Sequence, residues 1–172
     1  IPMNNAQLHR ALVSRELDVA FARPALKDPE FLTKELMEEK LILALPDSVD
    51  TGGRTIAKLE RLATHNLILY PEYPRPSYAD FVLNACQAAG FEVPLRVWCM
   101  DLQTALSLVS VGEGVCIVPA SVSTAPRKNM KFLNIEPEIA RTMLSVNYRL
   151  DEQGVHVQNF VRLAQKVARK VL

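Results

Sequence analysis

The sequence predicts an α/β fold in which most strands pair in parallel. Short apolar segments, typical of buried strands, alternate with segments whose apolar residues recur at helical spacing. Strands connected by helices in this way usually form a sheet with helices packed against it. Hydrophobic residues make up 49% of the 172 residues, which is enough for one domain or two small lobes with a buried core.

The elements are predicted from apolar spacing and from residues that begin or end helices. The predicted strands cover residues 17–22, 31–36, 41–45, 67–70, 95–100, 115–118, 130–135 and 144–150. The predicted helices cover residues 5–14, 56–63, 78–89 and 102–111, and a last, amphipathic helix begins at Val155. The polar segment 38–40 separates the second predicted strand from the third. Gly90 ends one helix, and Gly112 and Gly114 end another.

Composition disfavours several classes of function. The net charge is +1 and charged residues make up 23%, so this segment offers no basic surface for DNA or a membrane. No apolar run approaches the roughly 18 residues that span a bilayer, and residues 1–5 do not resemble a signal peptide. The cysteines predict buried free thiols in a reducing compartment, and the histidines lack metal-ligand spacing. We expect a cytoplasmic chain with no metal and no cofactor.

The sequence contains no motif typical of an enzyme active site. It has no Gly-x-Ser-x-Gly elbow, no phosphate-binding loop and no Gly-x-Gly-x-x-Gly fingerprint. Residues 111–115 are glycine-rich, but they end a predicted helix, whereas a dinucleotide-binding loop begins one. The acidic pair Glu38-Glu39 is more typical of a solvated turn than of a catalytic dyad. We therefore expect that the chain is not an enzyme.

Three predicted helices begin with a capping residue, namely Asn4 or Asn5, Ser77, and Asp101. Asp80 occupies the capping-box position relative to Ser77. Helix starts offer N–H groups and a positive dipole end, and in α/β sheets they gather at the carboxyl ends of strands, where ligands bind. Converging helix starts would form a small anion site. The alternative is that each residue only caps its own helix, and Asp101 is a poor neighbour for an anion.

Three segments resemble LysR-type transcriptional regulators. Residues 8–21 resemble the helix that leads into a Leu-Asp-Val-Ala-Phe strand, and residues 35–46 resemble the family's segment with the pattern L..e.l.lvlp. Residues 105–121, ALSLVSVGEGVCIVPAS, are similar to the family's most specific block. The order and spacing of the segments agree over essentially the whole chain. Residues 69–71 and 74–80 look most like the branch that senses muconate-type intermediates of aromatic degradation.

The resemblance implies a two-lobe fold like that of type 2 periplasmic binding proteins. Residues 1–45 and 142–172 would form one lobe and residues 46–141 the other, with the effector in the cleft between them. The winged helix-turn-helix that binds DNA, and the first strand and helix of the first lobe, have no counterpart in this sequence, so we expect a fragment. The family further implies self-association as a dimer or tetramer, and contact with RNA polymerase.

The resemblance assigns effector-binding residues to the first lobe. Asn5, beside the possible cap Asn4, stands where many relatives have Ser or Thr that binds a ligand carboxylate. An Asn side chain can still offer an N–H donor. Arg23 matches an arginine linked in some relatives to the effector response, and a surface ion pair is its alternative role.

The second lobe contributes the other predicted contacts. Pro76, Ser77 and Tyr78 match the relatives' backbone N–H donors and aromatic wall, and Gln103 faces the same region by analogy. The sequence thus predicts the ligand-sensing domain of a transcriptional regulator that binds a small carboxylate, such as a muconate-like intermediate. A solute-binding protein of the same fold, or an enzyme built on it, remain the alternatives.

Overall fold

The computed structural model describes residues 3–125 and 127–171. Within them the chain forms eight β-strands, four α-helices and two 3₁₀ helices. The strands are β1 Ala20–Ala22, β2 Phe31–Pro46, β3 Ile56–Lys58, β4 Leu67–Leu69, β5 Arg96–Trp98, β6 Cys116–Pro119, β7 Met130–Glu136 and β8 Arg141–Arg149. The helices are α1 Asn5–Val13, α2 Tyr78–Ala88, α3 Leu102–Ser110 and α4 Val155–Val171, with 3₁₀ helices at Leu59–Thr64 and Ala120–Thr124. None of the described helices is long and apolar enough to cross a membrane.

The chain folds as two compact units. The first unit contains Ile1–Glu39 and Thr142–Leu172, and the second contains Lys40–Arg141. Residues 41–45, which the sequence analysis assigned to the first lobe, pair with β6 and β7 inside the second unit. The predicted division into lobes itself stays a prediction.

In the first unit, α1 and α4 pack on strands β1 and β8, which pair antiparallel. Leu8 and Leu12 of α1 join a core cluster with Phe31. Val157 and Val161 of α4 join another cluster with β8. Phe160 and Val167, on other turns of α4, are about half exposed.

A buried arginine joins the end of α1 to β8. The Arg149 guanidinium donates hydrogen bonds to the carbonyl oxygens of Leu12 (3.1 Å) and Leu17 (2.7 Å). It also contacts the carboxylates of Asp18 (3.2 Å) and Glu152 (2.9 Å). A buried charge is tolerated only when it is paired and hydrogen-bonded, and this network meets that requirement for most of the guanidinium.

The second unit is built on a sheet in the order β5-β4-β6-β2-β7-β3. A parallel bridge between Leu67 and Val115 connects the β4–β5 pair to the rest. Strand β2 runs antiparallel to both β6 and β7, and β3 runs parallel to β7. All strands except β2 therefore point the same way. The expectation of mainly parallel pairing is correct for this set but wrong for β2 and for the β1–β8 pair, so the pairing is mixed.

Both faces of the central strands in this sheet are buried. Alternate residues of β2 face different clusters: Leu43 packs in the cluster that includes α2, and Ala44 packs in the cluster that includes α3. A strand buried on both faces needs a nearly continuous apolar sequence. This requirement explains the unbroken apolar run from Leu41 to Pro46.

Strand β2 is continuous, so the prediction of two strands separated at residues 38–40 is wrong. The polar residues remain within the strand because the buried Glu39 carboxylate forms an ion pair with Arg23. The predicted helix over residues 56–63 is also wrong. Its first residues form β3, and the helical spacing of Leu59 and Leu62 belongs to a 3₁₀ helix that buries both side chains.

Gly114 is required by a close approach between chain segments. A Cβ atom at this position would lie 2.3 Å from the carbonyl oxygen of Asn66. That carbonyl accepts a 2.9 Å hydrogen bond from the amide of Val115, at the junction of β4 and β6. Gly114, which was predicted to end a helix, therefore has a packing role. Gly112, with a φ of 89°, is the glycine that follows the end of α3.

We predict that Gly114→Ala lowers the free energy of unfolding by about 2 kcal/mol, because the added methyl group forces the backbone of Asn66 away. Urea titration followed by circular dichroism measures the change. Gly154→Ala is the control, since the nearest atoms to its Cβ belong to the side chains of His156 and Glu152, which can move. Its expected effect is below about 1 kcal/mol. Equal effects of the two substitutions would contradict the packing role of Gly114.

Candidate functional site

The starts of α2 and α3 lie at the same edge of the sheet in the second unit. Strands β4 and β5 are parallel neighbours, and each leads through a loop into one of these helices. The two loops contact each other, since the Glu72 amide donates to the Cys99 carbonyl oxygen at 2.9 Å. The parallel alignment therefore brings Ser77 and Gln103, which are distant in sequence, to one edge.

Ser77 begins α2 and is almost fully buried. Its amide donates a 2.7 Å hydrogen bond to the Asp80 carboxylate, as the predicted capping box requires. Its hydroxyl donates a 3.0 Å hydrogen bond to the carbonyl oxygen of Pro71. Both donors of Ser77 thus have partners inside the protein. Pro76, directly before it, has no amide hydrogen, so the expected backbone donors must come from later residues of the first turn.

Arg75 is a charged residue of this edge that the sequence analysis did not select. Its Nε lies 3.0 and 3.1 Å from the two carboxylate oxygens of Asp80, and Nη2 also contacts that carboxylate. The guanidinium carbon lies 4.9 Å from the ring centre of Trp98, at the end of β5. The cation therefore joins the start of α2 to the neighbouring strand.

The Asp80 carboxylate shows how the start of α2 holds a negative charge. Burial acts to raise the pKa of Asp80, but the hydrogen bonds from Arg75 and from the Ser77 amide outweigh it, so the pKa lies below its usual value. The donors at this helix start therefore favour an anionic oxygen over a protonated one.

Tyr78 is buried rather than exposed as an open aromatic wall. Its ring stacks on Tyr70 with 5.2 Å between ring centres, and its hydroxyl lies 3.5 Å from the Ile117 carbonyl oxygen. It belongs to the core cluster beneath α2. Its role as an effector contact stays a prediction.

The start of α3 carries a capping carboxylate. Asp101 accepts a 2.9 Å hydrogen bond from the Thr104 amide, and its pKa is lowered chiefly by this bond. Gln103 is exposed, and its side-chain oxygen accepts a 2.8 Å hydrogen bond from Arg127. Asp101 thus caps its own helix, as the alternative in the sequence analysis proposed, and Gln103 has a cation beside it.

The first unit contains the remaining predicted residues, around the end of β1. Asn4 is the N-cap of α1 and exchanges two hydrogen bonds with Gln7 in a capping box. The Asn5 side-chain amide donates to the Pro24 carbonyl oxygen at 2.8 Å. The Asn-x-x-Gln spacing could have revealed this box from the sequence.

Arg23 forms an ion pair with Glu39. The exposed fractions of the two side chains are 17% and 8%, so the pair is largely buried rather than a surface ion pair. If Arg23 turned toward a ligand, the buried Glu39 carboxylate would lose this ion pair. The pairing supports a structural role for Arg23, and its part in effector binding stays a prediction.

The described residues contain no group of three or more His, Cys, Asp or Glu side chains arranged to hold a metal ion. The cysteines Cys86, Cys99 and Cys116 are free and buried, which confirms the prediction of buried thiols. Burial raises the pKa of Cys86 to about 11, so this thiol is not nucleophilic near neutral pH.

Comparison with known proteins gives consistent results. The family model for the LysR substrate binding domain matches residues 1–169. The HTH-type transcriptional regulator CatR of Pseudomonas putida is 34% identical over 166 residues, which are 96% of this chain and 57% of CatR. The chain thus spans about half the length of the curated relatives it matches.

Solved structures show the same fold. The effector binding domain of BenM with its effector benzoate matches with a TM-score of 0.83 at 24% identity, covering 98% of this chain and 77% of that one. CbnR, a LysR family transcriptional regulator, matches with a TM-score of 0.83 at 28% identity, covering 96% of this chain and 57% of that one.

These relatives are named transcriptional regulators, not enzymes, and the matching structures are regulatory proteins or their effector-binding domains. The predicted two-lobe α/β fold class and the predicted family are both confirmed. The chain belongs to the family of LysR substrate binding domains.

Proposed function

We propose that this chain is the ligand-sensing domain of a transcriptional regulator and that its ligand is a small carboxylate. The observation that carries the proposal is the position of the α2 and α3 starts, which share the edge where the parallel strands β4 and β5 end. Ligands of α/β sheets bind beyond the carboxyl ends of parallel strands, where helix starts offer N–H groups to anions.

The charges at this edge are compatible with a carboxylate ligand. Asp80 would repel an anion, but its charge is balanced by Arg75, which contacts it directly. Arg127, hydrogen-bonded to Gln103, adds a cation near the start of α3. The guanidinium group suits carboxylates because its N–H donors match the two carboxylate oxygens.

The proposed contacts in the second unit are Pro76, Ser77, Tyr78 and Gln103. The proposed contacts in the first unit are Asn4, Asn5 and Arg23. Ser77 and Asn5 have side-chain donors bound to carbonyl oxygens, and a ligand carboxylate would be a stronger acceptor for either donor. Because each unit holds its own set, variants in one unit test that set separately.

The proposed ligand is an aromatic acid such as benzoate or an acid formed from it in aromatic degradation, such as muconate. Benzoate is the effector of BenM, whose effector binding domain shares this fold, and CatR and a cat1 operon activator are among the relatives. The sequence resemblance at residues 69–80 supports the muconate-type acids, which are intermediates of aromatic degradation. Binding would shift the population of the sensor between states and so change transcription.

The other partners follow from the relatives' names. We propose that DNA is bound through a helix-turn-helix outside these 172 residues, since several relatives are named HTH-type regulators. Self-association as a dimer or tetramer, contact with RNA polymerase and a cytoplasmic location belong to the same proposal. Sedimentation of the full-length protein with and without its operator tests assembly and DNA binding together.

We predict that the chain binds benzoate and cis,cis-muconate and that Ser77→Ala weakens this binding about fivefold or more, because one hydrogen bond to a charged group is lost. Isothermal titration calorimetry measures the affinity. Ser123→Ala is the matched control, since its hydroxyl also donates to a backbone carbonyl oxygen but lies on the 3₁₀ helix Ala120–Thr124. Asn5→Ala tests the first unit in the same way.

Benzamide, which has the same ring without the charge, provides the second control. Tight binding of benzamide, or no binding of any small acid by the folded chain, would contradict the proposed function. An unchanged affinity in Ser77→Ala would remove that residue from the site.

We predict that Asp80→Asn lowers the free energy of unfolding by about 1 kcal/mol at pH 7, the usual contribution of a helix cap. Because the folded-state pKa of Asp80 lies below its unfolded value, its stabilisation is complete above pH about 4 and is lost as pH falls through the folded-state pKa. The difference between variant and wild type should therefore shrink below pH about 4.

Urea titrations from pH 2.5 to 7 measure this difference. Asp47→Asn, an exposed carboxylate of the same unit, is the control and should change stability by less than about 0.5 kcal/mol. A difference for Asp80→Asn that does not depend on pH would show that the carboxylate charge has no part in holding the start of α2.

A further inference from the structure

The second unit contains a cavity of about 860 Å³ on the face of the sheet beside β3. It is bounded by the 3₁₀ helix Leu59–Thr64 and by the loop before β3. Its floor is formed by the apolar side chains of Leu43, Leu45, Leu133 and Val115, which belong to the core. The volume lies within the range of roughly 300–1,000 Å³ found for small-molecule sites.

This cavity is distinct from the edge where α2 and α3 begin. Thr64 and His65, which line it, precede β4, and Val115 precedes β6. Lys58 and Glu136, which also line it, end β3 and β7, at the side of the strand order away from β4 and β5. None of the residues proposed as effector contacts lines the cavity.

Exposed cations surround the apolar floor. Arg54, Lys58 and Arg61 line the cavity, and none of them forms an ion pair with a carboxylate among the described residues. Two other arginines of this unit are paired with carboxylates, Arg75 with Asp80 and Arg141 with Glu138.

Two carboxylates also line the cavity, and each has a local role. Asp50 accepts a 2.8 Å hydrogen bond from the Gly52 amide, which shapes the loop. Glu136 stands in register with Lys58 on the neighbouring parallel strand, so its charge is beside that cation although the two side chains form no direct ion pair. Arg54 and Arg61 are left as the unbalanced charges above the floor.

We propose that this cavity binds an organic acid that combines one carboxylate with an apolar body. The apolar part would cover the leucine floor, and the carboxylate would accept hydrogen bonds from Arg54 and Arg61. Burial of apolar surface supplies affinity, and a guanidinium selects a carboxylate over a neutral group. A small, fully polar anion such as phosphate would leave the floor uncovered. The site is independent of the proposed effector contacts.

The test uses the 172-residue chain and 2-naphthoate, with the neutral 2-naphthamide as its isosteric control. We expect 2-naphthoate to shift the amide resonances of residues 49–65 in ¹⁵N–¹H spectra. In the double variant Arg54→Gln/Arg61→Gln, binding of 2-naphthoate should weaken about tenfold or more, because hydrogen bonds between charged groups are lost. Binding of 2-naphthamide should change less than about twofold.

The matched control is Arg162→Gln/Arg169→Gln, which removes the same charge from exposed positions of α4. It should bind 2-naphthoate like the wild type. Equal binding of acid and amide, or equal binding by both double variants, would overturn the proposal. So would shifts confined to residues 75–80 and 101–104.

Two further outcomes are separated by the same spectra. If the resonances of residues 49–65 shift with protein concentration in the absence of ligand, a second copy of the chain covers the cavity and the proposal fails.

Ser77→Ala distinguishes this site from the proposed effector site, because it should weaken the binding of benzoate but leave the binding of 2-naphthoate at residues 49–65 unchanged. The two proposals can therefore fail separately.

Discussion

The parallel alignment of β4 and β5 brings the starts of α2 and α3 to one edge of the sheet, where we propose that the second unit binds a ligand. These two short strands end at the same level, and the next helix begins directly after each of them. Their hydrogen-bonded register therefore fixes the distance between two helix starts that are about 25 residues apart in sequence. Strand β2 lies between β6 and β7 and runs antiparallel to both.

The arginine at the start of α2 and the arginines beside β3 differ in how their charge is balanced. At the start of α2, Arg75 is held by Asp80 and by the ring of Trp98, so this group is ordered without a ligand. Beside β3, Arg54 and Arg61 stand above an apolar floor and have no described acidic partner. Ordered groups whose charges are balanced favour selective binding of one ligand. Cations without a nearby acidic partner favour attraction of any acid that also has an apolar part.

Local signals were sufficient to predict most elements but not how they pair. Ser77, Asp80 and Asp101 revealed helix starts because capping depends on neighbours in sequence. Strand β2 continues through residues 38–40 because Glu39 forms an ion pair with Arg23. No local sequence pattern predicts that contact. Arg75 was missed for the same reason, since its role comes from Trp98 on another strand. The family could be recognised from residues 105–121, whereas the assigned effector contacts still await a ligand.

The most direct test of the account is a titration of the ¹⁵N-labelled chain with benzoate, followed by ¹⁵N–¹H spectra at neutral pH. The account predicts saturable shifts of the amide resonances of residues 77–80 and 102–104, with little change when benzamide is added instead. Spectra in which these resonances stay fixed at saturating benzoate would contradict it, because no carboxylate would then be bound where β4 and β5 end.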